Sequence, residues 1–232
     1  MLRDQKFGKS GDLMGEVFDY ARAMAEVENV VAVVSDLLHG NSRIFAGRFA
    51  DTIGLGEYQE ENSIWERAVL SLMDDEEREL KFMAEIRFLN YLRRQPRNRR
   101  GSYCLMTGLR FKSGIDVLHR MYYIYDKATD SVRYAICLYG PMLTDVRGRS
   151  LAVNTVTGVS EQLTGDADDM ILSRRERQII TMINDGMTSE AIARTLCISK
   201  HTVSRHRQQI LSKLQCRNSI EACRAAKALN IL

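Results

Sequence analysis

The chain has 232 residues, room for two domains, and its 45% apolar and 27% charged residues exclude a fibrous or disordered protein. No apolar run approaches the ~20 residues that cross a bilayer, and the start MLRDQKFGKSGD lacks the apolar stretch of a secretory signal, so a cytoplasmic location is expected. Charge is unevenly placed. From Ile171 onward, 11 Lys and Arg stand against four Asp and Glu, a balance of +7, whereas the earlier residues carry 22 against 26, a balance of −4. A small basic piece behind a larger acidic one suggests an anion-binding C-terminal domain.

In chain order, residues 12–28 carry Leu13, Val17, Tyr20, Ala21 and Met24 at helical spacing. Residues 29–38 contain the β-branched run VVAVV and read as a strand, with a turn at 39–42 and a paired strand at 43–47. Ile64, Trp65, Ala68, Val69, Leu72 and Met73 recur at helical spacing. Asp74 with Glu77 marks the start of a further helix over 75–94, which Pro96 ends. The run RRQPRNRRG reads as a basic loop between elements. Strands are expected at 103–111, 117–125 and 132–139, with turns at 112–114 and 127–130, and a short one at 150–157. The polar stretch SEQLTGDADDM, 160–170, reads as a linker.

This order of helix, two strands, helices and three antiparallel strands resembles a PAS domain over residues 26–141. The resemblance implies helices wrapped on a five-stranded sheet and a sensing or partner-binding role. No haem, flavin or other cofactor site is identifiable. His39 in a turn and His119 in a strand read as structural, and no metal site is expected. Five cysteines at irregular spacing, with no C-x-x-C, read as reduced thiols used as small apolar residues.

The segment from Leu172 to Leu232 yields four helices from its own signals. Ser173 with Glu176 caps the first, over 174–185, whose apolar face is Ile179, Ile180 and Ile183; Gly186 follows its end. Thr188 caps a second, through Leu196, burying Ile192, Ala193 and Leu196. Cys197 and Ile198 form a tight turn, and Ser199 caps the third, over 200–214, with Val203, Ile210, Leu211 and Leu214 inward. The fourth covers 219–229, with Ala222, Ala225, Ala226 and Leu229 inward. A short helix, tight turn and longer helix make a helix-turn-helix. The longer helix carries Lys200, His201, Ser204, Arg205, Arg207 and Gln208 on its polar side, and Arg and Gln suit bidentate contacts to base edges in the major groove.

Leu172-Ser173, Arg175-Glu176, Gly186, Ile192-Ala193, Leu196, Lys213-Leu214, Ala222 and above all S-x-x-T-V-x-x-H at Ser199–His206 resemble the LuxR-type (NarL/FixJ-type) bacterial DNA-binding domain. The resemblance implies base contacts at Ser204, Arg205 and Gln208. It implies phosphate contacts at or near Arg194, Lys200, His201, Thr202, Lys213 and Arg217, and a dimer contact through the fourth helix near Cys223, Arg224 and Lys227. Two departures stand out: Gln215 replaces the usual glycine before the fourth helix, and Ala191 replaces a common Glu.

A receiver domain does not fit the N-terminal part: Asp36 follows a strand alone, and Asp51 follows none. A lactone-sensor domain fits poorly, because Trp65 is the sole tryptophan and that family's ligand set has no counterpart. No catalytic constellation supports an enzyme. The expected fold class is α+β: a PAS-like domain over 1–159, a linker over 160–170 and a four-helix LuxR-type domain over 171–232. Expected partners are double-stranded DNA, a second copy of the chain, and a small-molecule ligand or RNA polymerase, with no membrane. The alternative for the N-terminal domain is dimerisation or protein binding alone.

Overall fold

The computed structural model describes residues 14–55, 60–61, 66–126, 129–165, 171–214, 216–229 and 231–232. They fall into two compact units that part between Leu163 and Thr164. No helix among the described residues is long and apolar enough to cross a membrane.

The first unit is one antiparallel sheet with helices. Its elements are α1 (Met14–Glu28), β1 (Val31–Asp36), β2 (Asn41–Ala46), α2 (Phe49–Ile53), β3 (Glu60–Glu61), α3 (Arg67–Ser71), α4 (Asp75–Arg94), β4 (Tyr103–Arg110), β5 (Asp116–Tyr125), β6 (Val132–Pro141), β7 (Ser150–Asn154) and β8 (Ser160–Gln162). The strand order is β3-β2-β1-β6-β5-β4-β7-β8. The expected helix near 64–73 appears as the short α3; Trp65 and the start of that stretch lie outside the described residues. Two further differences have physical causes. The five-residue α2 is too short for a periodic signal. The expected linker begins as an edge strand, because Ser160–Gln162 pair with β7 while their side chains stay exposed and polar.

Alternation in the central strands gives the sheet two buried faces. Ala32, Val34, Tyr134, Ile136 and Leu138 meet Val17, Ala21 and Ala25 of α1. Cys137 and Tyr139, one residue out of phase, share the opposite face with His119, Met121 and Tyr123 of β5. There α4 supplies Phe88, stacked on Tyr123 with ring centroids 5.9 Å apart. Asp74 caps α4 as expected, accepting from the Glu77 N–H at 2.9 Å. Glu77 does not reciprocate: its carboxylate accepts from the Arg110 N–H at 3.0 Å and ties α4 to the end of β4. The basic loop folds as a short 3₁₀ helix, Arg97–Ser102, in which Arg100 bonds the Asp130 carboxylate and the Gln95 and Arg93 carbonyls. Gly47 shows why β2 meets α1 so closely: a Cβ there would lie 2.0 Å from the Ala25 carbonyl oxygen.

The second unit is helical: α5 (Arg174–Asn184), α6 (Ser189–Thr195), α7 (Lys200–Lys213) and α8 (Ser219–Ala228). Each helix matches the sequence expectation to within a residue or two. Ile179, Ile180, Ile192, Val203, Ile210, Leu214, Ala222, Ala225, Ala226 and Leu229 form its core. Ile183, Leu196 and Leu211, expected inward, are only half-buried, as suits a unit too small to bury a full apolar stripe.

Candidate nucleic-acid interface

Four caps hold the helical unit. Ser173 and Glu176 form a complete capping box on α5. Thr188 accepts from the Ala191 N–H at 3.2 Å, so replacement of the usual Glu leaves this cap intact. Ser199 accepts from the Thr202 N–H at 3.0 Å and its hydroxyl meets the Thr202 hydroxyl at 2.8 Å. Asn218, which the sequence reading passed over, accepts from the Glu221 N–H at 2.9 Å. The turn between α6 and α7 passes through Cys197 in the left-handed region at φ 52°, a conformation that disfavours side chains with a Cβ. Gly186 takes the same region at φ 80° just past α5, as its position suggested.

Two buried or half-buried charged side chains, Glu176 and Arg207, lock α7 in place. The Glu176 carboxylate, besides closing its box, accepts from the Lys213 ammonium at 2.6 Å. Burial alone would raise this carboxyl, but the Lys213 and Ser173 donors outweigh it and hold it below the ordinary carboxylate value. Arg207 donates to the Ser189 hydroxyl at 3.2 Å and the Ser219 hydroxyl at 2.8 Å, joining α6 and α8 to α7. Arg175 donates to the Leu196 carbonyl at 2.9 Å and fixes α5 to the end of α6.

The face left to solvent runs along α7. Lys200, His201, Arg205 and Gln208 are exposed, Ser204 and Thr202 half-buried. Lys200 pairs with Glu190 across exposed surface, a contact water competes with. Arg194 and Arg217 are exposed beside α7 at the ends of α6 and before α8. Lys213 differs from the rest, since its charge is committed to Glu176 and its side chain is only 25% exposed. Arg207, read from sequence as part of the polar side, faces the neighbouring helices instead. Val203 is fully buried and His206 half-buried. On α8, Ile220, Cys223, Arg224 and Lys227 fall along one stripe, with Ile220 69% exposed. Gln215 lies outside the described residues.

Residues 170–226 match the family model described as bacterial regulatory proteins, luxR family. The C-terminal unit is a LuxR-type helix-turn-helix domain. An uncharacterized response regulatory protein, YgeK, of Escherichia coli strain K12 is 35% identical over 65 residues; that stretch is 28% of this chain and spans only 44% of the relative. Among solved structures, VqmA bound to DPO aligns over 92% of this chain and 86% of its own at 13% identity and a TM-score of 0.26. A phage VqmA–DPO complex aligns over 94% and 88% at 12% identity and a TM-score of 0.29. A Vibrio cholera VqmA–ligand–DNA complex aligns over 90% and 87% at 14% identity and a TM-score of 0.28. Scores at this level do not establish a shared arrangement.

Outside the LuxR-type domain, the structure brings together polar side chains that sequence reasoning left apart. On the α4 face of the sheet, the Lys81 ammonium lies 2.5 Å from the Glu85 carboxylate and 3.2 Å from that of Glu66. The Tyr139 hydroxyl donates to Glu66 at 2.5 Å, and the Tyr139 ring stacks on His119 at 4.8 Å between centroids. Both ring nitrogens of His119 are buried without a hydrogen-bond partner. At the end of β1, the buried Asp36 carboxylate accepts from the Leu38 and His39 N–H groups at 2.9 and 3.0 Å, from His39 Nδ1 at 2.8 Å and from Arg133 at 2.5 Å. That Asp36 is structural, in keeping with a unit built on a different plan from a receiver.

Proposed function

We propose that this protein is a DNA-binding transcriptional regulator in which α7 of the LuxR-type domain enters the major groove and the N-terminal unit receives the controlling signal. The observation that carries the reading is the exposed polar face of α7, held rigid by capping and by the Glu176–Lys213 and Arg207 contacts behind it. A major groove about 12 Å wide admits one helix, and a rigid helix presents its side chains to base edges without paying to order them. Ser204, Arg205 and Gln208 are the base-reading set. Arg194, Lys200, His201, Thr202 and Arg217 surround it as phosphate contacts, and the free N–H groups at the start of α7 add a helix-end site for phosphate. Lys200 trades its exposed Glu190 partner for a phosphate at little cost. Lys213 contributes less to the phosphate set than its position in the family suggests, because Glu176 already neutralises it.

The stripe Ile220, Cys223, Arg224 and Lys227 on α8 is the surface for a second copy of the chain. Dimerisation sets two recognition helices on half-sites about one helical turn apart. The first unit, which extends through β8, is read as a PAS-like sensor placed before the LuxR-type domain. The helix, two strands, helices, three strands order and the sheet order β2-β1-β6-β5-β4 support that resemblance. A small-molecule ligand is the expected class of signal.

The test is selection of bound duplexes from a random pool, followed by anisotropy titrations at several salt concentrations. The reading expects a paired motif and an affinity that falls linearly, on logarithmic axes, as salt rises. Salt-insensitive binding, or no binding to any duplex, would end it.

A further inference from the structure

The buried polar cluster in the first unit has no part in reading DNA. We propose that Glu85 on α4, His119 on β5 and Cys137 on β6 form a site for one divalent transition-metal ion of the zinc type. The ion takes one carboxylate oxygen, one imidazole nitrogen and one thiolate sulfur, with a fourth position supplied from outside the trio.

One donor atom from each of the three residues lies within 4.8 Å of the other two. Ligands of a tetrahedral zinc stand about 3.5 Å apart, so side-chain rotations of roughly 1 Å close the site. Register explains the convergence. His119 pairs with Tyr139 and Met121 with Cys137, so all four side chains face α4, where Lys81 and Glu85 sit one turn apart.

His119 is the second observation. It is fully buried, and neither ring nitrogen has a hydrogen-bond partner, a state that buried polar groups rarely keep. A neutral imidazole offers a lone pair to a metal ion. The stacked Tyr139 ring fixes the plane of the imidazole. The sequence reading set His119 aside as structural because a lone histidine in a strand shows no ligand spacing; its partners come from α4 and from the neighbouring strand.

Donor chemistry selects the ion. A sulfur, a nitrogen and a carboxylate oxygen suit zinc and its neighbours rather than magnesium or calcium. Charge also balances. Glu66, which already accepts from Tyr139, can take the Lys81 ammonium alone, leaving Glu85 and Cys137 to neutralise the dication. The Cys137 S–H bond breaks, the sulfur binds the metal and the proton leaves to solvent, while the Glu85 carboxylate exchanges its Lys81 hydrogen bond for the metal. The Glu85 side chain, 26% exposed, is the member of the trio that an entering ion meets first.

The experiment is a cobalt titration of the full-length protein, reduced and anaerobic, equilibrated overnight and then chased with Zn2+. The expected result is one Co2+ per chain, with a thiolate-to-cobalt charge-transfer band and intense visible bands that Zn2+ bleaches. Cys137→Ser should abolish the thiolate band. His119→Gln and Glu85→Gln should weaken binding by at least about tenfold. Cys197→Ser and Cys223→Ser should leave it unchanged. Circular dichroism of each metal-free variant reports its fold, and Glu85→Gln, at the most exposed of the three positions, carries the test should Cys137→Ser not fold. No thiolate band in the parent protein, a band that survives Cys137→Ser, or unweakened binding in Glu85→Gln overturns the assignment. None of these readouts involves DNA, so either reading can fail while the other stands.

Discussion

Replacing Glu176 by Ala removes two contacts from a residue only 2% exposed. Its Oε2 accepts from the Ser173 N–H at 2.7 Å, closing the α5 capping box, and from the Lys213 ammonium at 2.6 Å. Losing a cap interaction costs about 1 kcal/mol. Losing a charge-assisted hydrogen bond costs about 1.5–3 kcal/mol, toward the lower end here because Lys213 at 25% exposure regains some water. The sum is about 2.5–4 kcal/mol, which in a domain this small lowers the melting temperature by roughly 10–30 °C. Glu176→Gln keeps an acceptor for Ser173 and loses only the charge, so about half the loss is expected. Hydrogen exchange at the Ile179, Ile180 and Ile210 amides of the full-length chain reads the unfolding free energy of this unit apart from the other. A Lys213→Ala companion closes a double-mutant cycle, with coupling expected at about 1 kcal/mol or more. A loss under about 0.5 kcal/mol in Glu176→Ala, or additive single mutants, refutes the claim that this ion pair seats the recognition helix.

Other expectations follow from single contacts. Cys197→Gly relieves the φ 52° strain in the helix-turn-helix and should stabilise the unit by up to about 1 kcal/mol in a thermal melt. Arg207→Ala removes the bonds to Ser189 and Ser219, so it should lower stability, and weaken all duplexes by a similar factor without changing sequence preference in the selection assay. Burial would raise the Asp36 carboxyl, but His39 and Arg133 hold it below its ordinary value. Its contribution is therefore complete above the unfolded carboxyl's pKa, near 4, and is lost as pH falls through the lower folded value; Asp36→Asn should flatten that acid limb of the stability curve. Gly47→Ala should cost more than an ordinary surface change, because the carbonyl of Ala25 cannot move aside cheaply.

The helical unit was legible because its punctuation is local. Ser173 with Glu176, Thr188, Ser199 and Gly186 each act within three or four residues, and the structure keeps every one of them. The exposed face of α7 follows from the same 3.6-residue period. What escaped were contacts between residues far apart in sequence. Arg207 looked like a member of the polar face until Ser189 and Ser219 came to meet it, 18 and 12 residues away. In the first unit the central strands were legible from alternation, whereas β8 was not, since an edge strand with no buried side chain has no apolar pattern to show. The buried cluster was hidden for both reasons. Lys81 and Glu85 carry no local signal beyond two charges on a helix, and Glu66 lies 73 residues from the Tyr139 hydroxyl it accepts from. One signal was present: His119 falls at the same parity as Val117, Met121 and Tyr123 in β5, which already placed it on the inward row.

The central claim is that α7 reads base sequence in duplex DNA through Arg205 and Gln208, and the most direct measurement compares motifs selected by the parent protein and by Arg205→Ala. The account predicts that information vanishes at one position of each half-site, that affinity for the parent motif falls by about 1–3 kcal/mol, and that the salt slope holds nearly constant. An unchanged motif, with affinity lost equally for every sequence, would contradict it.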